Sequence, residues 1–268
     1  MTLELLVWGV PVSTTAPDVD LSVLPNLPAT QQAAVEAAAR AANPSEPQAI
    51  IDEIAKTDWI DFRPVSFNLQ KADSTPANVG ESVQTIISVN GSTYTLLTGS
   101  GGQKTLTGLS VNDVSYSGAQ DQNSEMTFVA VSSHPISTST GYYYFDINTI
   151  GSANRRIFEA VVFSSPTRLG YFDGAGHQQS ADVTMDAGTH IDSYVVNGSS
   201  IDYRRDGSPV SSGLVTVSPT ATDAEIRIFG TGDQRFNGTV YGYFYAPSLI
   251  DVDMIESFAS SYYETPLI

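Results

Sequence analysis

The chain has 268 residues, 41% of them hydrophobic and only 15% charged, with a net charge of −17 and no cysteine. Twelve Lys and Arg residues scattered among 29 Asp and Glu exclude a phosphate-backbone partner, which needs clustered positive charge, so nucleic acid is not expected. Without cysteine there are no disulfides, zinc–thiolate sites or thiol nucleophiles, and stability must come from core burial, subunit contacts or ions.

Residues 1–28 hold Pro11, Pro17, Pro25 and Pro28 among apolar residues. Proline fixes φ and removes backbone donors, so this stretch reads as an extended arm. It opens without Lys or Arg before Trp8, which is unlike a secretory leader. Leu3, Leu5, Leu6, Trp8, Leu24 and Leu27 make the arm apolar enough to dock, either on its own domain or on a neighbouring subunit. Residues 29–57 read as a helical connector. Thr30 is placed to cap a helix over 31–42 that Asn43-Pro44 stops, and a second helix starts with Pro47 in its first turn and runs to about residue 56.

From residue 58 to 268 the pattern is β. Runs over 83–89 and 92–98 flank Asn90-Gly91, a hairpin signal in which both turn residues take positive φ. Further strands are predicted over 113–116, 125–131, 142–147, 157–163, 168–172, 181–185, 190–196, 200–205, 214–217, 225–229 and 239–245. Turns are expected at Asp173-Gly174, Asn197-Gly198, Asp206-Gly207 and Asn237-Gly238. More than ten short strands at this spacing imply a sandwich or barrel. The chain closes on a helix whose apolar stripe is Leu249, Ile250, Val252, Ile255, Phe258 and Ala259, with Ser248 and Asp251 read as cap and third helical residue. No apolar run reaches the roughly 18 residues that a membrane span needs, so no insertion is expected.

The order of several segments resembles the concanavalin A-like and laminin-G-like jelly-roll domains of bacteriophage structural and bacterial surface proteins. Met126-Thr-Phe-Val-Ala-Val131 resembles the family's early core strand. His190 to Val210, with its Tyr203-Arg-Arg-Asp-Gly207, resembles its hairpin. Ala224-Glu-Ile-Arg-Ile-Phe-Gly230 followed by Phe236-Asn-Gly-Thr-Val-Tyr-Gly-Tyr-Phe-Tyr245 resembles its last long strands, and Ile250 to Tyr263 its closing helix. The resemblance covers about residues 110–264, and 60–109 more weakly. It implies a mainly β chain: an antiparallel jelly-roll sandwich with an N-terminal arm, short N-terminal helices and a C-terminal helix. It also implies glycan binding or a structural role on virions.

Catalytic signatures are missing. Glycosidases on this fold carry a Glu-x-Asp-x-Glu strand, and the nearest run, Asp251-Val-Asp-Met-Ile-Glu256, falls in the predicted helix, where it complements the dipole. His134, His177 and His190 are too far apart for a local metal motif. The loop Tyr171-Phe-Asp-Gly-Ala-Gly-His-Gln178 combines rings, an acid and amides, the mixture a sugar site needs, so Tyr171, Asp173, His177 and Gln178 are the candidate ligand residues beside the plainer reading of a long hairpin turn. Calcium fits the family, with Asp121, Asp173 or Asp182 as oxygen ligands, but no Asp-x-Asp-x-Asp loop supports it, so no metal or cofactor is assigned. The expected function is non-enzymatic: a virion component (head decoration, fibre or tail-associated) that contacts other virion proteins and copies of itself, and presents a lectin-like domain to host surface glycans. The alternatives are a non-viral carbohydrate-binding adhesin and a polysaccharide-acting hydrolase.

Overall fold

Alternating strands that are apolar on both sides must be covered twice, and that requirement shapes this molecule. A computed structural model describes residues 18–63, 68–99, 101–105, 108–112, 114–133, 142–148, 156–162, 167–172, 177–183, 188–215, 221–229, 237–265 and 267. They form two antiparallel sheets stacked as a jelly-roll sandwich. The first contains β1 (Asp58–Asp61), β3 (Ser82–Val83), β6 (Gly102–Lys104), β7 (Leu109–Asn112), β9 (Glu125–Ser133), β14 (His190–Asn197), β15 (Ser200–Arg205), β16 (Ser208–Leu214) and β18 (Asn237–Ala246). Its order is β16-β15-β14-β9-β18-β7-β6-β3, and β1 joins β18 beyond β7. The second contains β2 (Leu69–Gln70), β4 (Thr85–Ile87), β5 (Thr93–Thr98), β8 (Ser115–Gln122), β10 (Tyr142–Asn148), β11 (Arg156–Val162), β12 (Thr167–Phe172), β13 (His177–Val183) and β17 (Ala221–Ile228). Its order is β13-β12-β11-β10-β17-β8-β5-β4-β2.

Between the sheets lies an aromatic core that includes Phe62, Tyr94, Tyr116, Phe128, Tyr194, Tyr203, Phe229 and Tyr243. Their rings meet mostly edge to face, as at Phe128 and Tyr243, 5.3 Å apart between centroids. On the outer face of the first sheet sits a second core. There Val129, Val131, Ile191 and Phe244 meet Ile50, Ile51 and Ile54 of one helix, Val35 and Ala39 of another, and Ile255 and Phe258 of a third. β9 shows the period-2 logic directly: Met126, Phe128 and Ala130 face the sandwich core, while Val129 and Val131 face the helices.

Among the described residues there are three helices, α1 (Ala29–Ala42), α2 (Pro47–Ala55) and α3 (Val252–Tyr263). Residues 29–57, read as a connector, thus supply two of the three helices that cover the first sheet. Thr30 lies inside α1, which begins after Pro28 with no side-chain cap. In α3 the cap is Asp251 rather than Ser248: its carboxylate accepts from the Met254 amide at 3.2 Å. Leu24 and Leu27, expected as partner-docking residues, are buried against the chain's own helices. Leu3, Leu5, Leu6 and Trp8 lie outside the described residues.

Several turns differ from their sequence reading. Asn90-Gly91 sits in a five-residue loop between Ile87 and Thr93, where only Gly91 has positive φ and the Ser88 hydroxyl accepts from the amides of Gly91 and Ser92 at 3.0 and 2.8 Å. Asn237-Gly238 opens β18 instead of turning. Asp206 and Gly207 do form a two-residue turn with positive φ at both, 51° and 83°, the type I′ geometry that suits a hairpin. β13 begins at residue 177 instead of 181, and β16 spans Ser208–Leu214 where a strand was expected over 214–217.

Candidate functional site

α3 crosses the outer face of β9 and β14 and leaves β15 and β16 open beside it. Strand alternation sends Tyr194 and Tyr203 inward, so their neighbours point to the open side. Val195 pairs with Asp202, and Asp202 with Ser212, giving one cross-strand row; Ser193, Arg204 and Pro209 give the next. Apart from the buried Ser193, these rows line a cleft of about 370 Å³ together with Val252 at the start of α3. Val195, Pro209, Val210 and Val252 supply apolar surface, and Asp202, Arg204, Ser211 and Ser212 supply polar groups.

The polar groups differ in what they have left to offer. Arg204 is held along its Nε–Nη2 side: its Nε donates to Glu256 Oε1 at 3.0 Å, and its Nη2 to Glu256 Oε2 at 2.8 Å, to the Gly207 carbonyl at 2.9 Å and to Asp253. Glu256 is only 1% exposed, and hydrogen bonding to it raises the Arg204 pKa above its ordinary value. Ser211 accepts from the Ala181 amide at 2.9 Å, tying the edges of the two sheets together. Asp202 is exposed and accepts from the Ser212 hydroxyl. A carboxylate has about four lone-pair directions, so most of its accepting capacity faces the cleft.

The buried acids Asp61, Asp58, Asp192 and Asp206 are built into the fold. Asp61, fully buried, accepts from Gln31 Nε2 at 2.7 Å and from the Tyr262 hydroxyl at 2.9 Å, and Arg63 stacks 3.3 Å over the Tyr262 ring. Asp58 bridges the sheets through the Tyr94 hydroxyl and Gln120 Nε2, the latter at 2.9 Å, and burial pushes its pKa up. Asp192 receives Arg205 in a two-pronged ion pair at 2.6 and 2.8 Å. Asp206 accepts from the Ile191 amide at 2.8 Å and meets His190 Nδ1 at 2.7 Å. Among the described residues no group of three or more His, Cys, Asp or Glu could hold a metal ion, and no helix is long and apolar enough to cross a membrane.

Of the residues expected to form a sugar site, Tyr171 is not available to a ligand. Tyr171 is fully buried in the sandwich core, so its ring cannot stack on a saccharide. Gln178 pairs in register with Tyr171, and His177 with Phe172. Asp173 lies outside the described residues. Of the calcium candidates, Asp121 is exposed on β8 and its backbone carbonyl accepts from the Tyr245 hydroxyl at 2.7 Å. The cleft residues Asp202 and Ser212 are not singled out by the sequence, and Val252 is marked there only as part of the closing helix's apolar stripe. The usable signal was the alternation Asp202-Tyr203-Arg204, in which the acid and the base must share the face opposite the ring.

No protein-family model and no curated protein sequence matches the chain. Solved structures do match. Trypanosoma rangeli sialidase in complex with sialic acid aligns with a TM-score of 0.50 and 11% identity, over 80% of this chain and 38% of that one. Domain 4 of AbnA, a GH43 extracellular arabinanase from Geobacillus stearothermophilus, in complex with arabinotriose, aligns with a TM-score of 0.45 and 11% identity over 76% and 87%. The CBM40 of Ruminococcus gnavus IT-sialidase bound to α2,3-sialyllactose gives 0.40 and 11% over 52% and 83%. The chain thus spans well under half of the sialidase. What it shares with the sialidase over the aligned part is the fold alone, and the chain itself is an antiparallel jelly-roll β-sandwich.

Proposed function

We propose that the chain is a non-enzymatic glycan-recognition module whose ligand sits in the cleft between α3 and the β15–β16 hairpin. The observation that carries this reading is the pairing of the exposed Asp202 carboxylate with the Ser212 hydroxyl beside an apolar shelf of Val195, Pro209 and Val252. A sugar presents the complementary surface, hydroxyl edges next to C–H faces. The sialidase that shares the fold was solved with sialic acid, which supports carbohydrate as the ligand class. The absence of catalysis is supported by the engagement of Asp58, Asp61, Asp192 and Glu256, each bound by donors inside the fold. Screening the intact protein against a glycan array, followed by calorimetry on Asp202→Asn and Ser212→Ala, tests the reading. Saturable binding that weakens in both variants is expected. Failure of every saccharide to bind, or release of reducing sugar from any of them, would refute it.

The setting we propose is a virion surface, with the module presented by particle-bound copies. What favours it is the apolar composition of the N-terminal arm. Because Leu24 and Leu27 are used by the chain's own helices, docking rests on Leu3, Leu5, Leu6 and Trp8. Charge substitutions at Leu5 and Trp8 are expected to abolish incorporation into particles, and normal incorporation would remove the virion reading.

A further inference from the structure

We infer that the cleft selects saccharides that carry no acid group and binds those bearing a free amine most tightly. This rests on the glycan reading above and adds the charge class of the ligand. Among the described residues of the lining the cation is Arg204, and it is committed to Glu256, Asp253 and the Gly207 carbonyl. Its charge is therefore already balanced by two carboxylates, one of them held in the two-pronged geometry that would otherwise grasp a sugar carboxylate. Asp202 in contrast lies exposed and accepts only one short contact, from Ser212.

The other device that could hold an anion at this place is closed as well. α3 begins at Val252 on the rim of the cleft, and a helix start attracts negative charge through its unpaired amides. Here Asp251 caps that end by accepting from the Met254 amide, and Asp253 occupies the first turn. A ligand carboxylate entering the cleft would meet Asp202 and Asp253, while the Arg204 charge there is already balanced by Glu256 and Asp253. An ammonium group would meet a carboxylate with accepting capacity to spare, beside apolar surface that lowers the local dielectric. Neutral sugars fall between, since Asp202 and Ser212 can exchange hydrogen bonds with hydroxyls but gain no charge term.

The test uses the full chain at about pH 6 and three trisaccharides of similar size: one of glucosamine, its N-acetylated form and one of galacturonic acid. Calorimetry is expected to rank them amine, neutral, acid, with about a tenfold step from neutral to amine, the factor that corresponds to roughly 1.4 kcal/mol, and no saturable binding of the acid. Asp202→Asn is expected to weaken binding of both the amine and the N-acetylated form and to erase the amine preference, bringing the two within about threefold of each other. Attraction of the amine by the overall charge of −17 would survive that substitution, so an unchanged preference in Asp202→Asn overturns the inference. Equal or tighter binding of the acid also overturns it, while leaving glycan recognition intact. No binding of any of the three, or of any arrayed glycan, removes both.

Discussion

Gly242 is the position where one methyl group has the most legible consequence. A Cβ there would stand 2.1 Å from the Tyr263 hydroxyl oxygen, 2.4 Å from Cζ and 2.8 Å from Cε2. These are rigid ring atoms, so Gly242→Ala must displace Tyr263. The displaced hydroxyl accepts from Trp59 Nε1 at 3.0 Å, and its ring packs edge to face on Tyr262, with centroids 5.0 Å apart. Overpacking costs about 1–3 kcal/mol and loss of one such hydrogen bond about 1 kcal/mol, so the variant should lose about 2–4 kcal/mol. For a chain of this size that is a fall in Tm on the order of 5–10 °C. The assay is a double-mutant cycle by urea and thermal unfolding with Tyr263→Ala. In the Tyr263→Ala background the added methyl enters vacated space, and Gly242→Ala should then cost less than about 1 kcal/mol. An equal cost in both backgrounds would show that the contact with Tyr263 is not what makes glycine necessary.

Removing one partner of the buried ion pair, Arg204→Ala, leaves the 1%-exposed Glu256 uncompensated and should destabilise by about 3–5 kcal/mol; Arg204→Met with Glu256→Leu should recover most of that loss in the same unfolding assay. The His190 pKa is raised, chiefly by its hydrogen bond to Asp206, so the pair contributes stability fully present below the ordinary value of 6.5 and lost as pH rises through the folded value. Urea midpoints of the natural protein minus those of His190→Gln should therefore be larger at pH 5.5 than at pH 8.5, and a pH-independent difference would contradict the pairing. Phe258→Ala empties the centre of the helical layer, where Trp59, Phe244 and Tyr262 converge at 5.4, 6.2 and 5.1 Å, and should cost about 3–5 kcal/mol with increased binding of a hydrophobic dye.

The sequence made some of this legible and hid the rest for identifiable reasons. Ser200–Arg205 and the Asp206-Gly207 turn could be read because Ile201 and Tyr203 alternate with polar residues and the turn dipeptide demands its geometry. The double-sided burial of β18 was also readable, since Val240, Tyr243, Phe244 and Tyr245 leave no polar face. β16, Ser-Pro-Val-Ser-Ser-Gly-Leu, was displaced because an edge strand with half its surface wet carries little apolar signal. β13 was cut short for a similar reason: His177-Gln-Gln-Ser180 looks like a loop and is held by its ladder to β12. The largest omission was tertiary. Asp61 gathers Gln31 from 30 residues before it and Tyr262 from 201 residues after it, and no local pattern announces such a hub. The candidate site depended on where α3 stops crossing the sheet, which is a matter of packing rather than of composition.

The helical layer is assembled from distant parts of the chain: α1 packs on α3, and both lie over strands made between them. During synthesis, Val129, Val131 and Ile191 emerge from the ribosome well before residues 252–263 can cover them. Until that segment is free, the nascent chain displays an oily sheet flank. Its dwell time there, and its dependence on chaperones, should be governed by the last helix more than by any strand.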